Sequence, residues 1–328
     1  MQKKLGHTEL IKLYFTMLRI RRAQEKIAEI YPQTPRRIQC PVHLCIGQEA
    51  IPAGVCASLR KDDFAFSFYR GHGHYLAKGG DLKALFAELY GKVTGCSKGH
   101  GGSMHIIDTK VGFMGTSAIV GGQIPMAVGS ALAFKLMKTD RVSVVFFGDG
   151  ATEEGVFHEA LNFASLKKLP VLFVCENNFY AVKAPLSARQ PRDNIFERAR
   201  SYGMPGIRIN GNKVMDVYNR CQRAIDSCRR GGGPTLIECR TYRWRGHLEN
   251  TFFSTDVLDG RSQEEMELWK ARCPIKSFEQ FLLSNRVLSL LDFEFILKDI
   301  DTEIAEAVQY AENSSFPEAG NGGEKCGH

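Results

Sequence analysis

The chain lacks the features that would direct it to a membrane, to nucleic acid or to zinc. No apolar run in its 328 residues reaches membrane-spanning length, and the first 30 residues have no signal-peptide core. No basic stripe with interleaved aromatic residues accompanies the net charge of +7. No C-x-x-C pair occurs among the ten cysteines, which excludes the usual zinc and dithiol motifs. We therefore expect a soluble, cytoplasmic protein with free thiols and with neither a membrane nor a nucleic-acid partner.

The order of apolar, glycine-rich and charged segments predicts one α/β domain at residues 8–314. Residues 8–31 have the pattern of a long amphipathic helix, and residues 120–260 alternate apolar strands with helical segments. From about residue 262 the pattern is helical and charged, which predicts a helical C-terminal part of the same domain. Residues 315–328 are expected to form a flexible tail.

The segment at 141–178 predicts a strand, a helix and a second strand. "RVSVVFF" and "LPVLFVC" are apolar without alternation, as in strands that are covered on both faces. Between them, "TEEGVFHEALNFASLKK" has apolar residues at helical spacing, with Thr152 placed to cap the helix. A right-handed crossover makes the two strands parallel, so the polar residues after each strand meet at one edge of the sheet. Ligands of open α/β sheets bind at this edge.

Two polar residues at this edge predict a magnesium–phosphate site. Asp149 follows the first strand and offers a carboxylate, while Asn178 follows the second and offers an amide oxygen. Magnesium takes few oxygen ligands from protein and completes its shell with phosphates and water. Gly148 and Gly150 allow a ligand close to the backbone, and the start of the following helix favours a phosphate. Because Gly-Asp-Gly is also common in ordinary turns, this pattern by itself leaves both interpretations open.

The stretch at 40–115 mixes short apolar segments with many glycines, as in "SFYRGHGHYLAKG" and "GCSKGHGGSMH". Such a composition is typical either of disorder or of loops around a ligand. The interleaved Phe, Tyr, Leu and Met residues argue against disorder. We therefore expect loops that wrap around a ligand.

Several blocks of the sequence, taken together, resemble one known family. "GDG" and "NN", with 26 residues between Gly150 and Asn177, resemble the thiamine diphosphate signature. The further blocks occur in the family's order: "YRGHG", "GCSKGHGGSMH", "AIVGGQIPMAVGSALAFK", "GPTLIECRTYRWRGH" and "RSQEEMELW". From about residue 10 to about 280 the chain is similar to alpha subunits of the heterotetrameric 2-oxo acid and acetoin dehydrogenases. The resemblance implies the thiamine diphosphate-binding fold, which is α/β with a doubly wound, mostly parallel sheet.

The resemblance also implies roles for individual residues around thiamine diphosphate and Mg²⁺. The implied metal ligands are the side chains of Asp149 and Asn178 and the backbone carbonyl of Tyr180. The other implied cofactor-binding residues are Tyr69, Arg70, Ala118, Val120, Gly150, Ala151 and Glu154. His247 would reach the diphosphate and the reacting centre from a mobile loop, and His43 would be a second catalytic histidine. The pattern around His43 also fits a hydrogen-bonded core histidine.

The implied reaction cleaves the bond next to the carbonyl of a 2-oxo acid or of acetoin and passes the acyl group to a lipoyl acyltransferase. A beta subunit would complete the active site in an α2β2 heterotetramer. One competing interpretation is a carboligase or decarboxylase of a biosynthetic pathway, which would need no lipoyl partner. Two more are a scaffold subunit with weak cofactor binding and a nucleotide-binding protein, although no P-loop or G-x-G-x-x-G follows a strand.

Three positions depart from the family's pattern. Leu248 stands where animal-type members carry a phosphorylatable serine, so control by a kinase at this position is not expected. Lys183 stands where small or hydroxyl residues are usual, and Lys213 stands where an aspartate often caps a helix. These departures concern the substrate rather than the cofactor.

Overall fold

A sheet of parallel strands forms the centre of the fold. The computed structural model describes residues 5–249 and 259–318. Its strands are β1 (Phe64–Phe68), β2 (Phe113–Ser117), β3 (Ser143–Gly148), β4 (Val171–Asn177), β5 (Tyr180–Ala181), β6 (Ala184–Pro185), β7 (Gly206–Asn210) and β8 (Thr235–Arg240). Six of them form the parallel sheet, in the order β2-β1-β3-β4-β8-β7. The remaining pair, β5 and β6, forms an antiparallel hairpin.

Helices surround the sheet. Those of the described ranges are α1 (His7–Ile30), α2 (Ala50–Cys56), α3 (His72–Ala77), α4 (Leu82–Leu89), α5 (Gln123–Leu136), α6 (Gly155–Leu166), α7 (Leu186–Arg189), α8 (Val214–Arg229), α9 (Gln263–Lys270), α10 (Pro274–Ser284) and α11 (Leu290–Asn313). Short 3₁₀-helices occupy Thr109–Val111, Asp149–Glu153 and Ile195–Tyr202. The predicted N-terminal helix and the helical pattern after residue 262 correspond to α1 and to α9–α11. Among these described helices, none is both long and apolar enough to cross a lipid bilayer.

The central strands are covered on both faces, which confirms the doubly wound α/β fold. On β3, Val144 and Phe146 pack into one core with residues of α1, α4 and α11. Their neighbours Val145 and Phe147 pack into a second core with residues of α5 and α6. Because both faces exclude water, these strands have no polar alternation in their sequences.

The chain leaves the neighbouring strands β1 and β3 in opposite directions. From β1 it runs through α3 and α4 to β2 on one side, and from β3 it runs through α6 to β4 on the other. Such a reversal opens a crevice beyond the carboxyl ends of the two strands. Tyr69 directly follows β1 and Asp149 directly follows β3, so the fold brings both residues to this crevice.

The helix after β3 begins later than the sequence pattern predicts. Asp149–Glu153 form a 3₁₀ turn, and α6 begins at Gly155 without a side-chain cap. The Thr152 hydroxyl donates a hydrogen bond to the Asp149 carbonyl at 2.7 Å, so the prediction that Thr152 caps the helix is wrong. A short polar side chain that bonds back to the backbone stabilises a turn at the expense of a helix start. At the start of α8, Lys213 also provides no side-chain cap, as its residue type predicts.

The division into a domain at 8–314 and a tail at 315–328 stays a prediction. Residues 319–328 lie outside the described part of the chain. Just before them, the Ser315 carbonyl accepts a hydrogen bond from the Val93 N–H at 3.0 Å. The residues directly after α11 therefore contact the segment that follows α4.

One loop of the glycine-rich stretch encloses a carboxylate of the protein itself. Glu88 is fully buried, and its two carboxylate oxygens accept the backbone N–H groups of Ser97, Gly99, Gly101 and Gly102 at 2.7–3.0 Å. Glycine allows the backbone to fold this tightly around one side chain. This loop therefore closes around Glu88, and contact of the glycine-rich stretch with a ligand stays a prediction.

We expect Glu88→Gln to lower the free energy of unfolding by about 3 kcal/mol, because a glutamine replaces one acceptor oxygen with an NH₂ group that faces backbone donors. Denaturant unfolding of the purified chain measures this change. Glu29→Gln is the matched control, since the Glu29 side chain forms an ion pair with Lys26 on the solvent side of α1. That control should cost at most about 0.5 kcal/mol, and equal losses in the two variants would contradict the role of Glu88.

Candidate active site

A cleft of about 220 Å³ lies beyond the carboxyl ends of the central strands. It gathers most of the residues singled out from the sequence. These are Tyr69, Arg70, Val120, Asp149, Gly150, Ala151, Glu154, Asn178, Tyr180 and His247. Ala118 and His43 are not part of the lining: Ala118 directly follows β2, and the His43 ring packs on that of Tyr69, with 4.4 Å between ring centroids.

Asp149 provides a buried carboxylate in this cleft. Its side chain is 1% exposed, and its Oδ2 accepts a hydrogen bond from the Arg189 guanidinium. Its Oδ1 has no hydrogen-bond partner in the described part of the protein. Burial raises the pKa of Asp149, and the positive charge of Arg189 opposes this rise. An unpartnered carboxylate oxygen is costly to bury, and a bound cation would satisfy it.

Asn178 and Tyr180 add two oxygen atoms at the end of β4. The Asn178 amide donates to Gln48 Oε1 at 3.4 Å, and Asn178 Oδ1 accepts the Tyr180 N–H at 3.2 Å. Gln48 in turn donates to Glu176, whose second oxygen hydrogen-bonds the His74 ring at 2.5 Å. These contacts fix the orientation of the Asn178 amide from behind the strand.

Two buried guanidinium groups, one of which lines the cleft, lie near each other on this side of the fold. Arg70 is 2% exposed and donates to the carbonyls of Leu44 at 2.8 Å and His247 at 3.3 Å. Arg243 is 1% exposed and donates to the Val182 carbonyl at 3.1 Å. Within the described ranges, no acceptor bonds the Nε atom of either residue or the Nη1 atom of Arg243.

The spare donors of these guanidinium groups are suited to an anion. Burial lowers the pKa of Arg70, and burial together with the charge of Arg70 lowers the pKa of Arg243 to about 9. The carboxylate of Asp259 lies 3.4 Å from Arg243 Nη1 and offsets part of this charge. Spare N–H donors on buried cations suit the oxygen atoms of a phosphate or diphosphate.

His43 and His247 are neutral imidazoles next to this cationic pair. Their ring centroids are 5.0 Å apart, and the His247 ring lies 5.6 Å from that of Tyr69. Burial and then the charge of Arg70 lower the pKa of His43 to about 2 and that of His247 to about 3. The segment that follows His247 lies partly outside the described residues, at 250–258.

The donor set suits magnesium rather than zinc. Across residues 5–249 and 259–318, no three His, Cys, Asp or Glu side chains stand close enough to hold a metal ion. Magnesium bound together with phosphates needs fewer protein ligands and prefers oxygen atoms. Asp149 Oδ1, an amide oxygen and a backbone carbonyl are ligands of this kind.

Sequence reasoning missed Arg189, the partner of Asp149, and Glu153, a second partner of Arg189. Glu153 lines the cleft, and Arg189 bonds both Glu153 and Asp149. Arg189 lies 40 positions after Asp149, and no local pattern marks it as a partner. Only the hairpin β5–β6, which turns the chain back toward the 3₁₀ turn, brings the two together.

We expect the fold to lose stability as the pH falls below about 6.5, the usual pKa of histidine. The pKa values of His43 and His247 in the folded protein are about 2 and about 3, so between these values and the usual pKa the unfolded state binds more protons. Each such residue therefore favours unfolding as acid is added.

His43→Gln removes one of these titrating groups. The loss of unfolding free energy between pH 7 and 5.5 should then shrink by about 1 kcal/mol, as measured by denaturant unfolding at both pH values. His105→Gln changes an exposed histidine and serves as the control. An equal pH dependence in His43→Gln and the unaltered chain would show that folding does not lower the pKa of His43.

Comparison with known proteins places the chain in a family. Residues 16–320 match the family described as Dehydrogenase E1 component. The chain is 42% identical over 314 residues to the alpha subunit of acetoin:2,6-dichlorophenolindophenol oxidoreductase of Bacillus subtilis, with 95% of this chain and 92% of that protein covered.

Pyruvate dehydrogenase subunits are also similar over most of the chain. Identity is 38% to pyruvate dehydrogenase E1 component subunit alpha-3, chloroplastic, of Arabidopsis thaliana, with 94% of this chain and 72% of that protein covered. Identity is 36% to the pyruvate dehydrogenase E1 component subunit alpha of Rickettsia bellii, with 94% and 93% covered. The chain therefore belongs to the thiamine diphosphate-dependent dehydrogenase E1 component family, as an oxidoreductase subunit of the alpha type.

Proposed function

We propose that the chain is the alpha subunit of a 2-oxo acid or acetoin dehydrogenase that binds thiamine diphosphate through Mg²⁺. One observation carries the magnesium part of this proposal. Asp149, with its unpartnered Oδ1, and Arg70, with its spare Nε donor, line one cleft, and Arg243 lies close enough to Arg70 for the two charges to interact. A cation ligand next to an anion receptor fits a magnesium–diphosphate pair and fits neither ion alone.

Different residues of the cleft would hold the magnesium ion and the diphosphate. Asp149, Asn178 and the Tyr180 carbonyl would hold the metal ion. Tyr69 and Arg70 would bind the diphosphate, together with the turn residues Gly150 and Ala151 and with Glu154. The backbone at Ala118 and Val120 would meet the aminopyrimidine ring.

Bound thiamine diphosphate supplies the electron sink that is needed to break a bond next to a carbonyl. The residues of this chain would orient the reacting groups and transfer protons. His247 lines the cleft, and the negative charge of a bound diphosphate would raise its lowered pKa, so that the ring can accept or donate a proton at the reacting centre. His43 supports that ring from behind and, with Tyr69, keeps water away from it.

An exposed apolar surface next to the cleft supports the proposal that a partner subunit binds there. Val120 lines the cleft and is 42% exposed, while Ile119 and Met126 are 72% and 59% exposed. Leu136 and Leu166, at the ends of α5 and α6, are also more than 70% exposed. Exposed apolar surface beside a cleft typically marks a protein interface. We therefore propose that a beta subunit covers this surface in an α2β2 heterotetramer and closes the active site.

A lipoyl acyltransferase is the acceptor that we propose for the acyl group. No contact within the described residues favours a carboligase or decarboxylase instead. The cytoplasmic location is untested and stays a prediction from composition.

Asp149→Asn tests the site directly. In the complex with the beta subunit, calorimetric titration should show thiamine diphosphate binding that depends on Mg²⁺. The variant should weaken both metal and cofactor binding by at least about tenfold, because the two ligands share one site and the metal loses its charged ligand. Asp216→Asn, on the partly exposed surface of α8, is the control and should bind as the unaltered chain does. Equal cofactor affinity in Asp149→Asn would refute the site.

His247→Ala should lower turnover far more than stability. We expect kcat to fall by about 100-fold or more, since the ring lines the cleft and moves a proton there. The free energy of unfolding should change by at most about 1 kcal/mol, because the ring is only partly buried. Steady-state kinetics and denaturant unfolding measure the two effects, with His105→Ala as the control. A variant that unfolds outright would contradict a catalytic role.

A further inference from the structure

Arg189 joins the two segments that carry the proposed magnesium ligands. The residue ends α7, directly after the hairpin β5–β6, and its side chain is 12% exposed. Its Nη2 donates to Asp149 Oδ2, its Nη1 donates to Glu153 Oε1, and its Nε donates to the Ala184 carbonyl at 3.2 Å. Each guanidinium nitrogen therefore holds a different acceptor, and two of these acceptors lie in the 3₁₀ turn after β3.

The contact with Asp149 engages one carboxylate oxygen and leaves the other. Oδ2 accepts from Arg189, whereas the buried Oδ1 of the same group has no hydrogen-bond partner in the described chain. A carboxylate held by a charge-assisted hydrogen bond keeps one orientation and presents its second oxygen in one direction. Partners that hold metal ligands in this way raise metal affinity.

The contact with Ala184 reaches the segment of Tyr180. Ala184 belongs to β6, where it pairs with Ala181, and the next residue, Pro185, pairs with Tyr180. Arg189 therefore holds the hairpin through the Ala184 carbonyl and the Asp149 turn through two carboxylates. A single side chain thus sets the spacing between two segments that each supply a proposed ligand.

We infer that Arg189 is a positioning residue of the metal site, which presents Asp149 Oδ1 and the Tyr180 carbonyl to one magnesium ion. This inference rests on the proposed function, because it takes both groups as metal ligands. The alternative is that Arg189 competes with magnesium for Asp149. In that case its guanidinium must leave the carboxylate before the ion binds. Three simultaneous contacts oppose such a departure, and the unpartnered oxygen makes it unnecessary.

Three variants separate these roles. Arg189→Gln removes the guanidinium fork, and Arg189→Lys keeps the charge but replaces the fork with a single ammonium group. Arg198→Gln is the matched control, since Arg198 donates to the Thr152 carbonyl at 2.5 Å and to Gln190 Oε1 at 2.7 Å. It therefore ties the same 3₁₀ turn to the residue that follows α7, and neither of these two hydrogen bonds involves the Asp149 carboxylate.

The measurement is calorimetric binding of thiamine diphosphate to the complex with the beta subunit, at a series of Mg²⁺ concentrations. In Arg189→Gln the half-saturating Mg²⁺ concentration should rise by about 10- to 100-fold, while Arg198→Gln should stay within about threefold of the unaltered complex. Arg189→Lys should recover part of the loss. At saturating Mg²⁺, kcat of Arg189→Gln should return most of the way to that of the unaltered enzyme, as expected for a lost positioning contact.

Four results would overturn the inference. An unchanged half-saturating concentration in Arg189→Gln excludes the positioning role, and a lower one assigns the competitor role. If Arg189→Gln and Arg198→Gln lose magnesium affinity equally, then Arg189 only holds segments together and has no specific role at the metal site. If Arg189→Gln does not fold, Arg189→Lys decides. A half-saturating Mg²⁺ concentration equal to that of the unaltered complex would show that the guanidinium group is not needed. Absence of magnesium dependence in the unaltered complex refutes the proposed function itself.

Discussion

Charge buried beyond the carboxyl ends of β1 and β3 constrains most of the structure around the cleft. Asp149, Arg70 and Arg243 are each at most 2% exposed, and a buried charge costs free energy unless partners surround it. The hairpin β5–β6 and α7 bring Arg189 to the carboxylate, and backbone carbonyls of three separate loops accept from the guanidinium groups. Segments far apart in sequence are therefore held together by the buried charges of the candidate site.

The strands and their order along the chain could be predicted because burial on both faces leaves a clear signal. The continuous apolar runs of β3 and β4 have no other explanation in a protein of this composition. The start of α6 could not be predicted in the same way. Thr152 suits both a helix cap and a turn, and the choice depends on how the Asp149 backbone folds at the cleft. Glu88 shows a second limit, since a glycine-rich loop can close around a side chain as well as around a ligand.

The residues of the candidate site that stand directly after strand ends could be predicted from the sequence. Asp149 and Asn178 stand at strand ends, and the fold class alone brings strand ends together. The comparison with relatives confirms the family, while the role of each residue stays a proposal. Arg189 and Glu176 could not be predicted, because their contacts with the site depend on side-chain packing between distant segments. No periodicity or motif records such contacts.

The spare donors of Arg70 and Arg243 also link the amount of folded protein to the supply of the ligand that bonds them. A ligand that bonds them binds the native chain and not the unfolded one, so it adds to stability by mass action. At a free concentration about 100 times the dissociation constant, the gain is about 2.7 kcal/mol. Cellular proteases remove unfolded chains, so a gain of this size changes abundance several-fold. Scarcity of such a ligand would then lower the level of this protein as well as its occupancy.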